Sequence, residues 1–156
     1  MIQRIQTIYL FCAAVVTFIL LFIPIGTLKG AEGFYTYNSF FVKLINTDLT
    51  IVTTFYNGLL LILSTILSLV TILFYKKRKL QVRIINFNML VILGALFSMF
   101  YIYPKFIFAK NAVLAGTVLD FNFVILISLI TAAGLYLAKR AILKDEAIVK
   151  STERLR

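Results

Sequence analysis

The chain has 156 residues, of which 62% are hydrophobic and only 14% are charged, and its formal net charge is +10. This composition excludes an ordinary soluble domain, which needs a larger share of charged surface. A single cysteine and the absence of histidine exclude a disulfide framework and a thiolate metal site, and they remove the commonest general base.

Four long apolar runs account for most of the sequence. They cover residues 5–25, 51–74, 84–103 and 118–137. Each is long enough for a helix to cross a hydrocarbon core of about 30 Å. The runs predict an all-α membrane protein, a four-helix bundle of transmembrane helices. It forms one domain over residues 1–156, with a cytoplasmic helical tail over 138–156.

The segment between the first two runs is rich in aromatic and β-branched residues. The stretch 34–42, preceded by Gly30 and Gly33, favours a strand that could form half of a small extracytoplasmic β-hairpin. A similar stretch, 106–109, follows Pro104 and could pair with it. Alternatively, both aromatic stretches anchor the chain at the membrane interface.

The second run carries a polar stripe on one helical face, formed by Asn57, Ser64, Ser68 and Thr71. In lipid, a polar side chain is best placed against another helix, so we expect the stripe to face the bundle. Two roles stay open. The stripe could mediate close helix packing, or it could line a ligand cavity together with Asn88.

The densest basic cluster separates the second and third runs and contains Lys76, Lys77, Arg78, Lys79 and Arg83. If both termini lie on the same side as this cluster, that side holds 12 of the 16 lysines and arginines. Cytoplasmic segments carry such an excess, which predicts an orientation with both termini in the cytoplasm. The cluster is also expected to contact anionic lipid headgroups. Nucleic acid is not expected, because the cluster is short and lacks exposed aromatic residues.

The fourth run begins with Thr117 and Asp120, which have the spacing of a helix capping box. We therefore expect Asp120 to be a helix cap. The alternative, a proton or ion relay, needs a second acid, a lysine or a histidine within a span, and the spans contain none of these.

The helix that starts near Val118 is expected to run to about Arg156, well beyond the membrane. An isolated helix of that length is marginal, so its apolar side should be covered. The sequence predicts a docking surface for a protein partner or a second copy; the competing interpretation is a tail that lies flat on the membrane. The docking surface comprises Ala141, Ile142, Ile148, Val149 and Leu155, with Lys144, Lys150 and Arg154 at its rim.

Both ends of the chain carry distinctive motifs. The chain opens with MIQRIQT over residues 1–7, carries KRAILKDE over 139–146 and closes with RLR over 154–156. With four apolar runs between them, these motifs resemble a family of small uncharacterised four-helix integral membrane proteins of Bacteroidota bacteria, a domain of unknown function. The resemblance implies a multi-pass protein of the bacterial inner membrane, and it brings no reaction, ligand or site residue.

These observations together predict a non-catalytic protein without cofactor or metal. Its expected role is that of an accessory subunit or scaffold that docks a partner through its basic cytoplasmic face. The alternative function is binding or transport of a small or lipidic molecule in a cavity inside the bundle. An enzyme is not expected, because the sequence lacks the residues of a serine–histidine, paired-aspartate or metal centre.

Overall fold

The structure is a computed structural model that describes residues 2–30, 33–45, 49–75, 77–111 and 113–154. Within these residues the chain forms four α-helices: α1 (Ile2–Leu20), α2 (Phe55–Leu73), α3 (Arg78–Phe97) and α4 (Val124–Arg154). A π-helical segment, Ser98–Phe108, continues α3. Five strands complete the fold: β1 (Gly26–Gly30), β2 (Gly33–Tyr37), β3 (Phe41–Leu44), β4 (Thr50–Thr53) and β5 (Val118–Phe121).

The helices pack as a closed ring, because α1 contacts α2 and α4 while α3 contacts the same two helices. Leu10, Leu61, Ile92 and Leu135 are buried inside this ring. The outward face is also apolar, as expected for helices surrounded by hydrocarbon. Among the described residues, three helices are long and apolar enough to cross a membrane, and Ile5–Leu20 is a shorter apolar helix. The three are Phe55–Leu73, Arg78–Phe106 and Leu126–Val149.

The strands form one antiparallel sheet in the order β4-β3-β2-β1-β5. Strand β1 follows α1, β4 precedes α2 and β5 precedes α4, so the sheet covers one end of the helix ring. The register pairs Leu28 with Leu119 and Thr36 with Thr27. The opposite end holds the turn between α2 and α3 and the last turns of α4. The molecule thus has a sheet end and a basic end.

The predicted all-α fold is wrong, because the chain combines four helices with a five-stranded sheet. Two of the apolar runs each join a strand to a helix. The run at 51–74 starts with β4, and the run at 118–137 starts with β5. Hydropathy does not separate these states, whereas the β-branched composition of Thr50–Thr53 favours the strand. The expected strand in the stretch 34–42 is present as β2 and β3, but in a larger sheet than a hairpin.

The third run also differs from its predicted boundaries. The helix begins six residues earlier, at Arg78, and passes through Pro104 to Phe108 as wider π-helical turns. Proline lacks a backbone donor and its ring crowds the preceding turn, and a wider turn accommodates both effects. The stretch 106–109 therefore pairs with no strand, and the sheet partner from this part of the chain is β5.

Asp120 does not cap α4, which corrects the capping-box prediction. It lies in β5, and α4 begins only at Val124. The Asp120 carboxylate pairs with Lys29 Nζ across the β1–β5 ladder at 2.5 Å. Both side chains are about half exposed, which makes Asp120 part of a surface ion pair in the sheet.

Candidate functional site

A seam of buried polar side chains runs along the contact between α2 and α3. Near the sheet end it starts at Asn57, whose Nδ2 donates to the Tyr37 hydroxyl at 2.7 Å. Ser98 Oγ donates to Asn57 Oδ1, also at 2.7 Å. All three groups are buried, and each bond joins residues that are far apart in the sequence. The amide of Asn57 therefore links the sheet, α2 and the start of the π-helical segment.

Tyr37 is an enclosed residue of β2 and contributes the sheet's share of this network. Its ring packs edge-on against Phe108 and lies near Tyr103. Burial raises the pKa of Tyr37 far above its ordinary value, nearby Tyr103 raises it further, and the Asn57 hydrogen bond acts in the opposite direction. The hydroxyl thus stays protonated and donates to the Met99 carbonyl oxygen at 3.4 Å while it accepts from Asn57.

The middle of the seam is a contact between Asn88 on α3 and two serines on α2. Asn88 Nδ2 donates to Ser68 Oγ at 2.8 Å and to the Ser64 carbonyl oxygen at 3.2 Å. Among the described side chains, Ser64 Oγ and Asn88 Oδ1 are buried with no hydrogen-bond partner. The helices approach closely at this level, which is the geometry expected of packing and not of a cavity bordered by these residues.

The basic end of the seam is formed by Thr71 and Gln81. Gln81 Nε2 donates to the Thr71 carbonyl oxygen at 3.0 Å, and the Thr71 hydroxyl donates to Leu67 within its own helix. The four residues of the predicted stripe, Asn57, Ser64, Ser68 and Thr71, are thus all fully buried along α2.

The partners of the stripe on α3 were not identified from the sequence as a set. Gln81 and Asn88 supply them, Ser98 adds a partner from the start of the π-helical segment, and Tyr37 adds one from the sheet. The signal is present, because Gln81 and Asn88 are seven residues apart, which places them on one helical face. Tyr37 gives no such signal, since its position depends on how the sheet folds over the bundle.

The basic cluster lies mostly on the first turns of α3 and not in a loop. Arg78 begins the helix, and its guanidinium lies 3.4 Å from the carboxylate of Asp145 on α4. A cavity of about 490 Å³ opens beside this ion pair. Its lining comprises Lys77, Arg78, Lys79, Leu80, Arg83 and Glu146. Lys76 lies outside the described residues.

The predicted docking surface on α4 is only partly exposed. Ile142 is fully buried, and Ala141 is half-buried where its carbonyl oxygen accepts from Gln6 of α1. Including Ile142 in a free surface was therefore wrong, because α4 packs within the helix ring beyond the last predicted transmembrane residue. Ile148 and Val149 are about 40% exposed, and Lys144 is exposed. Leu155 lies outside the described residues, as do the side chains of Lys150 and Arg154.

Two comparisons with known proteins bear on this arrangement. A search of curated proteins finds no match to this chain. A family model described as "Domain of unknown function (DUF4293)" matches residues 2–155, which is nearly the whole chain. The match includes the helix ring, the sheet and the basic end alike, so the chain belongs to the DUF4293 family.

Proposed function

We propose that this protein is a non-catalytic, multi-pass protein of the bacterial inner membrane. In this proposal it serves as an accessory subunit or scaffold that docks a partner protein at its basic end, in the cytoplasm. The sheet end faces away from the cytoplasm, and the apolar helical layer lies in the bilayer.

The orientation is supported by the distribution of charge. Twelve of the 16 lysines and arginines fall at three places in the sequence: Arg4 near the start of α1, five residues over 76–83 around the start of α3, and six over 139–156. The remaining four belong to the sheet end: Lys29, Lys43, Lys105 and Lys110. Positively charged segments are retained in the cytoplasm during insertion, which favours the basic end as the cytoplasmic one.

The scaffold role is supported by the hydrogen bonds that the polar seam makes between elements. Asn57, Asn88 and Gln81 each direct a side-chain amide to a neighbouring element, at distances of 2.7 to 3.2 Å. These bonds fix the register of α2 against α3 and of the sheet against both. A seam bonded in this way acts as a rigid frame, and this supports packing over the alternative of a ligand cavity in the bundle.

The observation that carries the docking proposal is the far end of α4. The Arg78–Asp145 ion pair joins α4 to the start of α3, and α4 continues beyond it to Arg154. Beyond that pair, Ile148 and Val149 keep about 40% of their surface exposed. Apolar residues on an exposed helix beside cations are typical of a protein contact with a polar rim.

The test is a charge substitution at this surface with a matched control on the same turn. Ile148→Asp should abolish co-purification of a partner or of a second tagged copy from mild detergent. Ala147→Asp adds the same charge to an exposed neighbour and should leave co-purification unchanged. If the unmodified protein shows neither partner nor self-association, the accessory-subunit proposal is refuted.

A further inference from the structure

The cavity at the basic end has the charge of a phosphate site. Four cations line it, from Lys77, Arg78, Lys79 and Arg83, against the single carboxylate of Glu146. Arg78 is partly committed to Asp145, whereas Lys79 and Arg83 are one helical turn apart on the exposed side of α3. A planar guanidinium and an ammonium at this spacing suit a phosphate group, which accepts several charge-assisted hydrogen bonds.

The first turn of α3 adds to this positive potential. Lys77 precedes the helix without a side-chain cap, and the helix runs for 20 residues. The N–H groups of Lys77 and Leu80 donate to the carbonyl oxygens of Phe74 and Lys77, and the positive end of the helix dipole lies at this turn. An anion in the cavity is therefore attracted by backbone and side chains together.

Beyond this cavity, the exposed face of α3 carries side chains in an order that matches the parts of a phospholipid. Asn86 is exposed one turn beyond Arg83, where an amide could reach the ester region of a phospholipid. Phe87 and Leu90 follow, with 54% and 67% of their surface exposed. At Gly94 the same face has no side chain, and apart from its chain neighbours and the adjoining helix backbone no described atom lies within 4 Å of where a Cβ would be. The order along the helix is cation, amide, apolar side chains and an open notch.

The distances along the helix fit one leaflet. Arg83 and Gly94 are separated by about 16 Å along the axis, from the rise of 1.5 Å per residue. Half of a bilayer core is about 15 Å thick. Because the phosphate lies in the headgroup layer outside that core, a phosphate held at Arg83 places the lower part of an acyl chain near Gly94.

We propose that α3 binds one anionic phospholipid, with the lipid phosphate in the cavity lined by Lys79 and Arg83 and an acyl chain along Phe87, Leu90 and Gly94. The occupant is a lipid and not a soluble phosphate, because the cation cluster continues without a break into an exposed apolar face. This inference rests on the proposed function only for the leaflet in which the lipid lies. Lipid binding itself can be measured without knowing the orientation of the protein.

The experiment uses the full-length protein in mild detergent. Phosphatidylglycerol and phosphatidylcholine with identical acyl chains are added separately, and bound lipid is measured by native mass spectrometry. Phosphatidylglycerol should remain bound and phosphatidylcholine should not. The double variant Lys79→Gln/Arg83→Gln should weaken retention by about 25-fold, since each cation near an anionic headgroup contributes roughly fivefold.

Two controls make the result specific. Lys139→Gln/Arg140→Gln removes the same charge from α4 outside the cavity lining, and it should retain phosphatidylglycerol. Equal loss in both double variants would mean diffuse attraction and would overturn the site. Gly94→Leu fills the open notch without changing charge and should weaken lipid retention. Full retention in this variant would overturn the acyl-chain position.

A soluble competitor distinguishes a lipid phosphate from a soluble phosphate ligand as the occupant of the cavity. Glycerophosphoglycerol carries the same phosphodiester headgroup without acyl chains. It should fail to displace phosphatidylglycerol at concentrations well above that of the lipid. Displacement at a comparable concentration would assign the cavity to a soluble phosphate ligand and refute the lipid proposal. Failure of this proposal leaves the partner-docking test at Ile148 unaffected.

Discussion

The side-chain amide of Asn57, on α2, donates a hydrogen bond to the hydroxyl of Tyr37, on β2, at 2.7 Å. This bond joins the two layers of the molecule. On its other side Asn57 accepts from Ser98, so one amide connects the sheet, α2 and the π-helical segment. The three residues are buried, and their polar atoms depend on one another for partners.

Replacing Asn57 with leucine should therefore destabilise the protein. The variant leaves the donor of Ser98 without its acceptor and removes a partner of Tyr37, and one buried unpaired group costs about 1–3 kcal/mol. Thermal unfolding in detergent measures the effect. Tyr37→Phe breaks the same bond from the sheet side, so the double variant should be less destabilised than the two single losses added together. Strict additivity would show that the two groups do not interact.

Ser64 and Ser68 provide a second test of the seam, at its centre. Both are fully buried against α3, where Asn88 bonds to Ser68 Oγ and to the Ser64 backbone. Enlarging either to leucine should lower thermal stability, since overpacking typically costs about 1–3 kcal/mol. The control Gly94→Leu makes a larger change at a position with open space, and it should not lower stability in lipid-free detergent. Unchanged stability of both serine variants would indicate a cavity at this level.

Gly58 explains how the sheet sits on α2. A Cβ at this position would lie 2.1 to 2.7 Å from three ring atoms of Phe40, and its N–H donates to Ser39 O at 2.9 Å. Gly58→Ala should therefore push Phe40 away and lower stability, although alanine favours a helix over glycine by about 1 kcal/mol. Gly94→Ala gains the same propensity without a neighbour and should be neutral or stabilising. A stabilised Gly58→Ala variant would show that Phe40 moves freely.

Asp120 is expected to have a small structural role. Asp120→Asn removes the charge of the side chain and therefore the ion pair to Lys29. Both side chains of this pair are about half exposed. Cross-strand pairs of opposite charge contribute roughly 0.2–1 kcal/mol, so the loss should fall in that range. Unfolding of Asp120→Asn, Lys29→Gln and the double variant would measure the pair. A loss of several kcal/mol in Asp120→Asn alone would indicate a further role of the carboxylate.

The sequence was most informative where periodicity and burial agree. The polar residues of α2 share one helical face, and lipid disfavours unpaired polar groups, so the stripe could be recognised without knowing its partners. The sheet was largely missed for a different reason. Residues Thr50–Thr53 and Val118–Phe121 are apolar and adjoin helices, and hydropathy counts them as part of a span. Their strand state depends on pairing with β3 and β1, which are distant contacts.

The second half of α4 illustrates the same limit. Ile142 and Ile148 belong to one apolar face in the sequence, yet Ile142 is fully buried and Ile148 is 44% exposed. The difference arises because α1 and α3 extend along α4 as far as Gln6 and Arg78. Neither extension follows from the apolar run of α4 itself. The family membership is consistent with the resemblance of the terminal motifs, and it assigns no function.

We propose that the sheet end and the basic end lie on opposite sides of the membrane, with the basic end in the cytoplasm. Cysteine labelling tests it most directly, in a Cys12→Ser background. Ala115→Cys places a thiol in an exposed turn beside the sheet, and Ala147→Cys places one on exposed α4. With a membrane-impermeant maleimide, Ala115→Cys should be labelled in intact spheroplasts and Ala147→Cys only after permeabilisation. Labelling of Ala147→Cys in intact spheroplasts, or of both sites equally, would contradict the account.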